Sequence, residues 1–89
     1  MEQINRIEVY VEGRNFSFEK SYNPQSFLRI PILGESIQLE KYGLVVDGEI
    51  TEILHSPDDC KLGMTVMCDY ELGSDVWDSD KNEPVIANK

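Results

Sequence analysis

Apolar and polar residues alternate in short runs along most of the chain, and a period of two marks half-buried β-strands rather than helices. Over residues 4–11, Ile7, Val9 and Val11 fall on one side and Arg6, Glu8 and Tyr10 on the other. Gly13, Arg14 and Asn15 then supply turn chemistry, and Phe16 and Phe18 resume the alternation against Ser17 and Glu19. This pattern predicts a β-hairpin. Tyr22-Asn23-Pro24 interrupts it, because proline pushes the residue before it out of helical geometry. A further strand is expected to begin within residues 26–30, with Pro31 at its end or on an edge, where no ladder hydrogen bond is lost.

The stretch 29–56, RIPILGESIQLEKYGLVVDGEITEILHS, organises the rest of the chain. Gly34-Glu35 turns it into a strand over 36–39, where Ile37 and Leu39 share a face. The Lys41-Tyr42-Gly43 loop leads into residues 44–55, the longest strand candidate. Gly48 breaks the alternation there, and it reads either as an Asp47-Gly48 hairpin turn or as a bulge that bends one long strand. The bulge is preferred, because a hairpin would leave 44–46 as a very short arm. Ser56-Pro57-Asp58-Asp59 has the pattern of a helix start, with Gly63 placed to end it after one or two turns. Residues 64–72 alternate again, Val66, Cys68, Tyr70 and Leu72 against Thr65, Met67, Asp69 and Glu71. After Gly73 only Val76, Trp77, Val85, Ile86 and Ala87 are apolar. The expected architecture is one all-β domain over 1–73, a small antiparallel barrel of four to six strands with one short helical turn. An acidic tail or an added edge strand follows over 74–89.

Composition narrows the partners. The 89 residues suffice for one modest core, so self-association would add stability. A net charge of -9 repels nucleic-acid backbones and anionic membranes and leaves basic proteins and cations as partners. The charge is uneven: residues 1–45 carry six acids and five bases, and residues 46–89 carry eleven acids and three lysines. No signal-peptide pattern or membrane-length apolar run appears, so a cytoplasmic location is expected. Cys60 and Cys68 are too few for a disulfide scaffold and are expected to stay reduced.

Ile30-Pro31, Gly34-Glu35, Ile37 and Leu39, followed by a strand with Ile50, Ile53 and His55, resemble a pattern in small uncharacterised bacterial SH3-like barrel proteins. Some of these travel on phages and integron cassettes. There a Pro-x-x-Gly-Glu turn feeds one strand and the next strand ends in a histidine. The resemblance covers roughly a third of the chain. It implies an SH3-like barrel serving as a binding or assembly module. The aromatic cluster that grips polyproline ligands is not evident, so that specificity is not implied.

Four constellations bear on chemistry. Asp78, Asp80 and Asn82 match the first three ligands of a calcium loop, but Glu83 stands where a glycine is needed and Lys89 where a bidentate glutamate is needed. His55, Cys60 and Cys68 are zinc-capable, but their spacing does not form two close pairs. Cys60 with His55 and Asp58 or Asp59 has the residue types of an activated thiol, without an anion cradle or a nucleophile elbow. Trp77, flanked by Asp75, Asp78 and Asp80, either anchors a partner or folds back over the barrel edge. The expected function is a non-enzymatic, self-associating binding module without a cofactor. It is expected to engage a basic protein surface through Asp69, Glu71, Asp75, Trp77, Asp78 and Asp80. The alternative is a cation-binding protein using the acidic C-terminal segment.

Overall fold

The computed structural model describes residues 4–85, and the period-two runs become five principal strands. These are β1 (Arg6–Glu12), β2 (Ser17–Tyr22), β3 (Ser36–Lys41), β4 (Leu44–Ser56) and β5 (Lys61–Met67). Two-residue turns join the hairpins. Gly13 N–H donates to the Phe16 carbonyl and closes the β1–β2 turn around Arg14-Asn15. Between β3 and β4, Lys41 faces Leu44, and Tyr42 and Gly43 both take left-handed φ values of 58° and 78°. Two successive left-handed residues give the turn whose twist matches that of paired strands.

The strand order in the sheet is β2-β1-β5-β4-β3. Read around a barrel, this is a plain meander, each strand beside its neighbours in the chain. A meander alternates direction, so an odd number of strands brings the first and last together in the same direction. β1 and β5 accordingly pair in parallel, from Arg6 opposite Lys61 to Glu12 opposite Met67. The all-β, barrel-like architecture is as expected, and the sheet is mixed rather than wholly antiparallel.

Alternation puts one face of every strand inside. Ile7, Val9, Val11, Phe18, Leu39, Val46, Ile50, Leu62, Met64 and Val66 are buried there together. Each fully buried side chain of this size contributes roughly 1.5–3 kcal/mol. No charged or polar side chain is buried among the described residues.

Between β2 and β3 the barrel has a seam without a backbone ladder. Lys20, opposite Val9, and Lys41, two residues after Leu39 and so on the same face, occupy inward positions on these two edge strands. The Lys20 ammonium donates to the Glu40 carbonyl, and the Lys41 ammonium donates to the Glu19 carbonyl. Inward-pointing lysines are also a known guard against edge-to-edge aggregation. Here each additionally satisfies a carbonyl of the opposite edge.

β4 is a single strand of 13 residues that pairs with β3 over its first half and with β5 over its second. The long-strand reading therefore holds, and the Asp47-Gly48 hairpin does not form. The register irregularity lies between Ile50 and Glu52 rather than at Gly48. What Gly48 provides is close approach: a Cβ there would lie 2.4 Å from the Met67 carbonyl oxygen.

Three expected elements differ. Residues 24–26 form a 3₁₀ turn and 27–35 run irregularly, so no strand begins there. Pro24 and Pro31 remove two of the N–H donors a ladder would need. The turn Pro57–Asp59 ends at Cys60, which takes the left-handed conformation (φ 53°), and Gly63 lies within β5. β5 itself ends at Met67, although the alternation runs on to Leu72. Beyond it Cys68 N–H still donates to the Glu12 carbonyl and Arg14 N–H to the Tyr70 carbonyl, and at Leu72 a side chain supplies the pairing. Asn15 Nδ2 donates to the Leu72 carbonyl and Asn15 Oδ1 accepts from Leu72 N–H, both at 2.8 Å.

The described residues after Gly73 build their own hairpin, β6 (Trp77–Asp78) against β7 (Glu83–Pro84). It is fixed to the barrel at two points. Trp77 is 1% exposed and meets Phe16, Phe18 and Tyr42 at ring-centroid distances of 6.0, 6.2 and 6.5 Å. Asn82 accepts from Ser17 N–H and donates to Ser17 Oγ.

Candidate interaction surface

Residues 62–80 contain no lysine, arginine or histidine and hold Asp69, Glu71, Asp75, Asp78 and Asp80. The fold sets them on backbone fixed by the Asn15–Leu72 pair, the Trp77 contacts and the Asn82–Ser17 bonds. Asp69, Glu71, Asp75 and Asp80 are exposed. Arg14 Nη2 reaches Asp69 Oδ1 at 2.9 Å, an exposed pair of small energetic weight. Asp78 is half-buried, and its Oδ1 accepts from the Asp80 and Lys81 amides. The Asp-x-Asp-x-Asn pattern thus serves as turn chemistry, with Asn82 at a left-handed φ of 53°. Trp77 lies in the core: it folds back onto the barrel and is not presented beside the carboxylates.

The zinc-capable set does not gather: Cys68 lies apart from His55 and Cys60, which flank the β4–β5 turn with Asp58 and Asp59. Cys60 and Cys68 stand just beyond opposite ends of β5, whose seven residues span about 23 Å at strand spacing. His55 is exposed on β4, opposite Leu62. Among the described residues no group of three or more His, Cys, Asp or Glu side chains is arranged to hold a metal ion. No helix among them is long and apolar enough to cross a membrane.

Four acidic groups titrate away from their ordinary values for identifiable reasons. The Lys61 hydrogen bond at 3.0 Å, followed by nearby Arg6, lowers the Glu8 carboxyl. The Arg29 guanidinium, followed by the Ile32 amide, lowers Glu35. Burial raises the Cys68 thiol, the opposite of what activates a nucleophile. Burial also raises Tyr70, whose hydroxyl accepts from Asp47 N–H at 2.9 Å and donates to the Asp47 carbonyl at 3.2 Å.

Surface grooves lie among the described residues. One of about 600 Å³ crosses the outer face of the sheet, with Tyr10, Leu54, Gly63 and Thr65 among mixed charges from Glu8, Glu19, Glu52 and Lys61. Another of about 440 Å³ lies between Tyr10, Phe18, Lys41 and Tyr42. A third, about 340 Å³, opens between the 26–31 loop and β3, with Phe27, Leu28, Ile37, Leu39 and Ile50 among Ser26, Arg29 and Glu35. The seam lysines and this groove were not apparent in the sequence. The signal was there as the pattern Glu-Lys at 19–20 and again at 40–41, which places opposite charges across antiparallel edges.

Comparison with protein families, with curated proteins and with solved structures gives no match to this chain.

Proposed function

We propose that the chain is a non-enzymatic binding or assembly module whose carboxylate-rich segment 69–80 engages a basic protein surface. One observation carries the reading: a base-free segment dense in acids is held on ordered backbone rather than left as a loose tail. Preorganised charge loses less freedom on binding and steers encounter with a cationic partner. Glu71, Asp75 and Asp80 have no ion-pair partner among the described residues, so a partner's cations would not have to displace internal ones.

The test is a titration of an arginine- and lysine-rich peptide, used as a fluorescent probe, against the full chain. Affinity is expected to fall at least about tenfold between roughly 50 and 300 mM salt, as surface charge is screened. Binding that ignores salt, or no binding at low salt, would remove the proposal.

A further inference from the structure

We infer that the loop between β2 and β3 is a self-association surface on which a second copy of this chain docks, each copy's Leu28 entering the apolar groove of the other. This rests on reading the chain as an assembly module and names the surface and the partner.

The loop exposes aliphatic side chains in a row. Leu28 is 105% exposed, Leu33 57%, Ile32 55% and Ile30 48%. A cluster of this kind on a small protein marks an interaction site more often than chance exposure. Beside it lies the groove of about 340 Å³, with Phe27 and Ile37 as walls and the buried Leu39 and Ile50 among its lining residues. A projecting knob and a receiving groove on one patch suit a two-fold contact, in which the same residues meet in both directions. The loop that carries the knob is braced. Arg29 clamps Glu35 through both guanidinium nitrogens, and Glu35 Oε1 accepts from Ile32 N–H at 3.0 Å.

Charge selects a second copy as the occupant. Residues 20–34 form the longest acid-free stretch of the sequence and carry Lys20 and Arg29, in a chain of net charge -9. Two identical acidic molecules repel over the rest of their surfaces, and this loop lets them approach at the least electrostatic cost. A basic partner would be drawn instead to the carboxylates of 69–80. The four aliphatic side chains offer on the order of 300 Å² of apolar area per copy, to which the groove walls add. The aliphatic side chains of two copies alone give about 600 Å², under the roughly 1,200 Å² of stable complexes, so the dimer is expected to be weak, reversible and concentration-dependent.

The experiment is sedimentation equilibrium of the full chain from about 10 μM to about 1 mM, a range that brackets such an affinity. Leu28→Lys is the test variant; its side chain is fully exposed, so the fold, monitored by Trp77 fluorescence, is retained. Leu54→Lys, at a 62% exposed position outside this loop and groove, is the control. The wild-type chain is expected to dimerise, Leu28→Lys to weaken the dimer at least tenfold, and Leu54→Lys to leave it unchanged. A monomer throughout the range, an unaffected Leu28→Lys, or equal loss in the control would each overturn the inference. Salt separates this result from the proposed function. The dimer holds or tightens as repulsion is screened, whereas binding of the basic probe weakens.

Discussion

The indole of Trp77 is the clearest case of one side chain organising its surroundings. It is almost fully buried among aromatic rings, yet its Nε1–H has no acceptor among the described residues. A buried donor without a partner costs about 1–3 kcal/mol, so the burial of the ring must outweigh that cost. Replacement by phenylalanine removes the orphan donor together with some volume, and the two effects offset. Trp77→Phe is therefore expected to lose less than about 1.5 kcal/mol in chemical denaturation, and Trp77→Ala about 3–5 kcal/mol. Equal losses for the two variants would contradict this, since a phenyl ring at this position would then restore nothing. At this same scale the sequence was informative in one way only. Trp77 amid aspartates identified a residue with a task, but composition alone does not tell an outward anchor from an inward plug. That distinction comes from Phe16 and Phe18, which lie some sixty residues earlier and converge on it only in the folded chain.

Among the elements, the β2–β3 seam sets the character of the barrel. Four strand junctions are closed by backbone ladders, and the fifth is bridged by two lysines donating to carbonyls of the opposite edge. Their ammonium groups also sit over rings: Lys20 Nζ is 5.0 Å from the Tyr22 centroid, and Lys41 Nζ is 5.0 Å from that of Tyr42. Replacing each lysine by methionine keeps the stem and removes the donor. Each single variant is expected to cost about 1 kcal/mol, the usual net contribution of one hydrogen bond. The pair is expected to speed amide hydrogen exchange in β2 and β3 while leaving β1 and β5 protected. Uniform acceleration across all five strands would contradict a local seam. The strands themselves were legible because alternation is a local property, as with Ile7, Val9 and Val11. Where long-range pairing decides, local pattern misled. The Val66–Leu72 alternation outlasts β5 because single backbone bonds at Cys68 and Tyr70, and then the Asn15 side chain at Leu72, hold the segment without a continuous ladder, and residues 26–30 look strand-like but lie next to prolines that deny them a ladder.

At the scale of the whole molecule, charge and apolarity are segregated along one chain. Residues 20–34 lack acids and expose Leu28, Ile30, Ile32 and Leu33, while residues 62–80 lack bases and expose four carboxylates. The meander explains how both regions become surface. The first fills the gap where β2 and β3 fail to pair, and the second leaves the barrel after β5 and is tied back by Asn15, Trp77 and Asn82. The all-β class and the barrel-like closure were readable from strand count and turn chemistry. The parallel β1–β5 pair was not, since it follows from the odd number of strands and from which edges meet.

Under the proposed function, location and not total charge alone makes the carboxylates of 69–80 the binding surface. The most direct measurement compares two variants of equal charge, binding the same basic peptide at low salt. One carries Asp69→Asn, Glu71→Gln, Asp75→Asn and Asp80→Asn; the other carries Glu49→Gln, Glu52→Gln, Asp58→Asn and Asp59→Asn. Each removes four of the seventeen acidic groups, all of them at exposed positions. At least about a tenfold loss of affinity is expected in the first variant and less than about threefold in the second, where only long-range attraction at low salt is reduced. Equal losses in both variants, or none in the first, would contradict it.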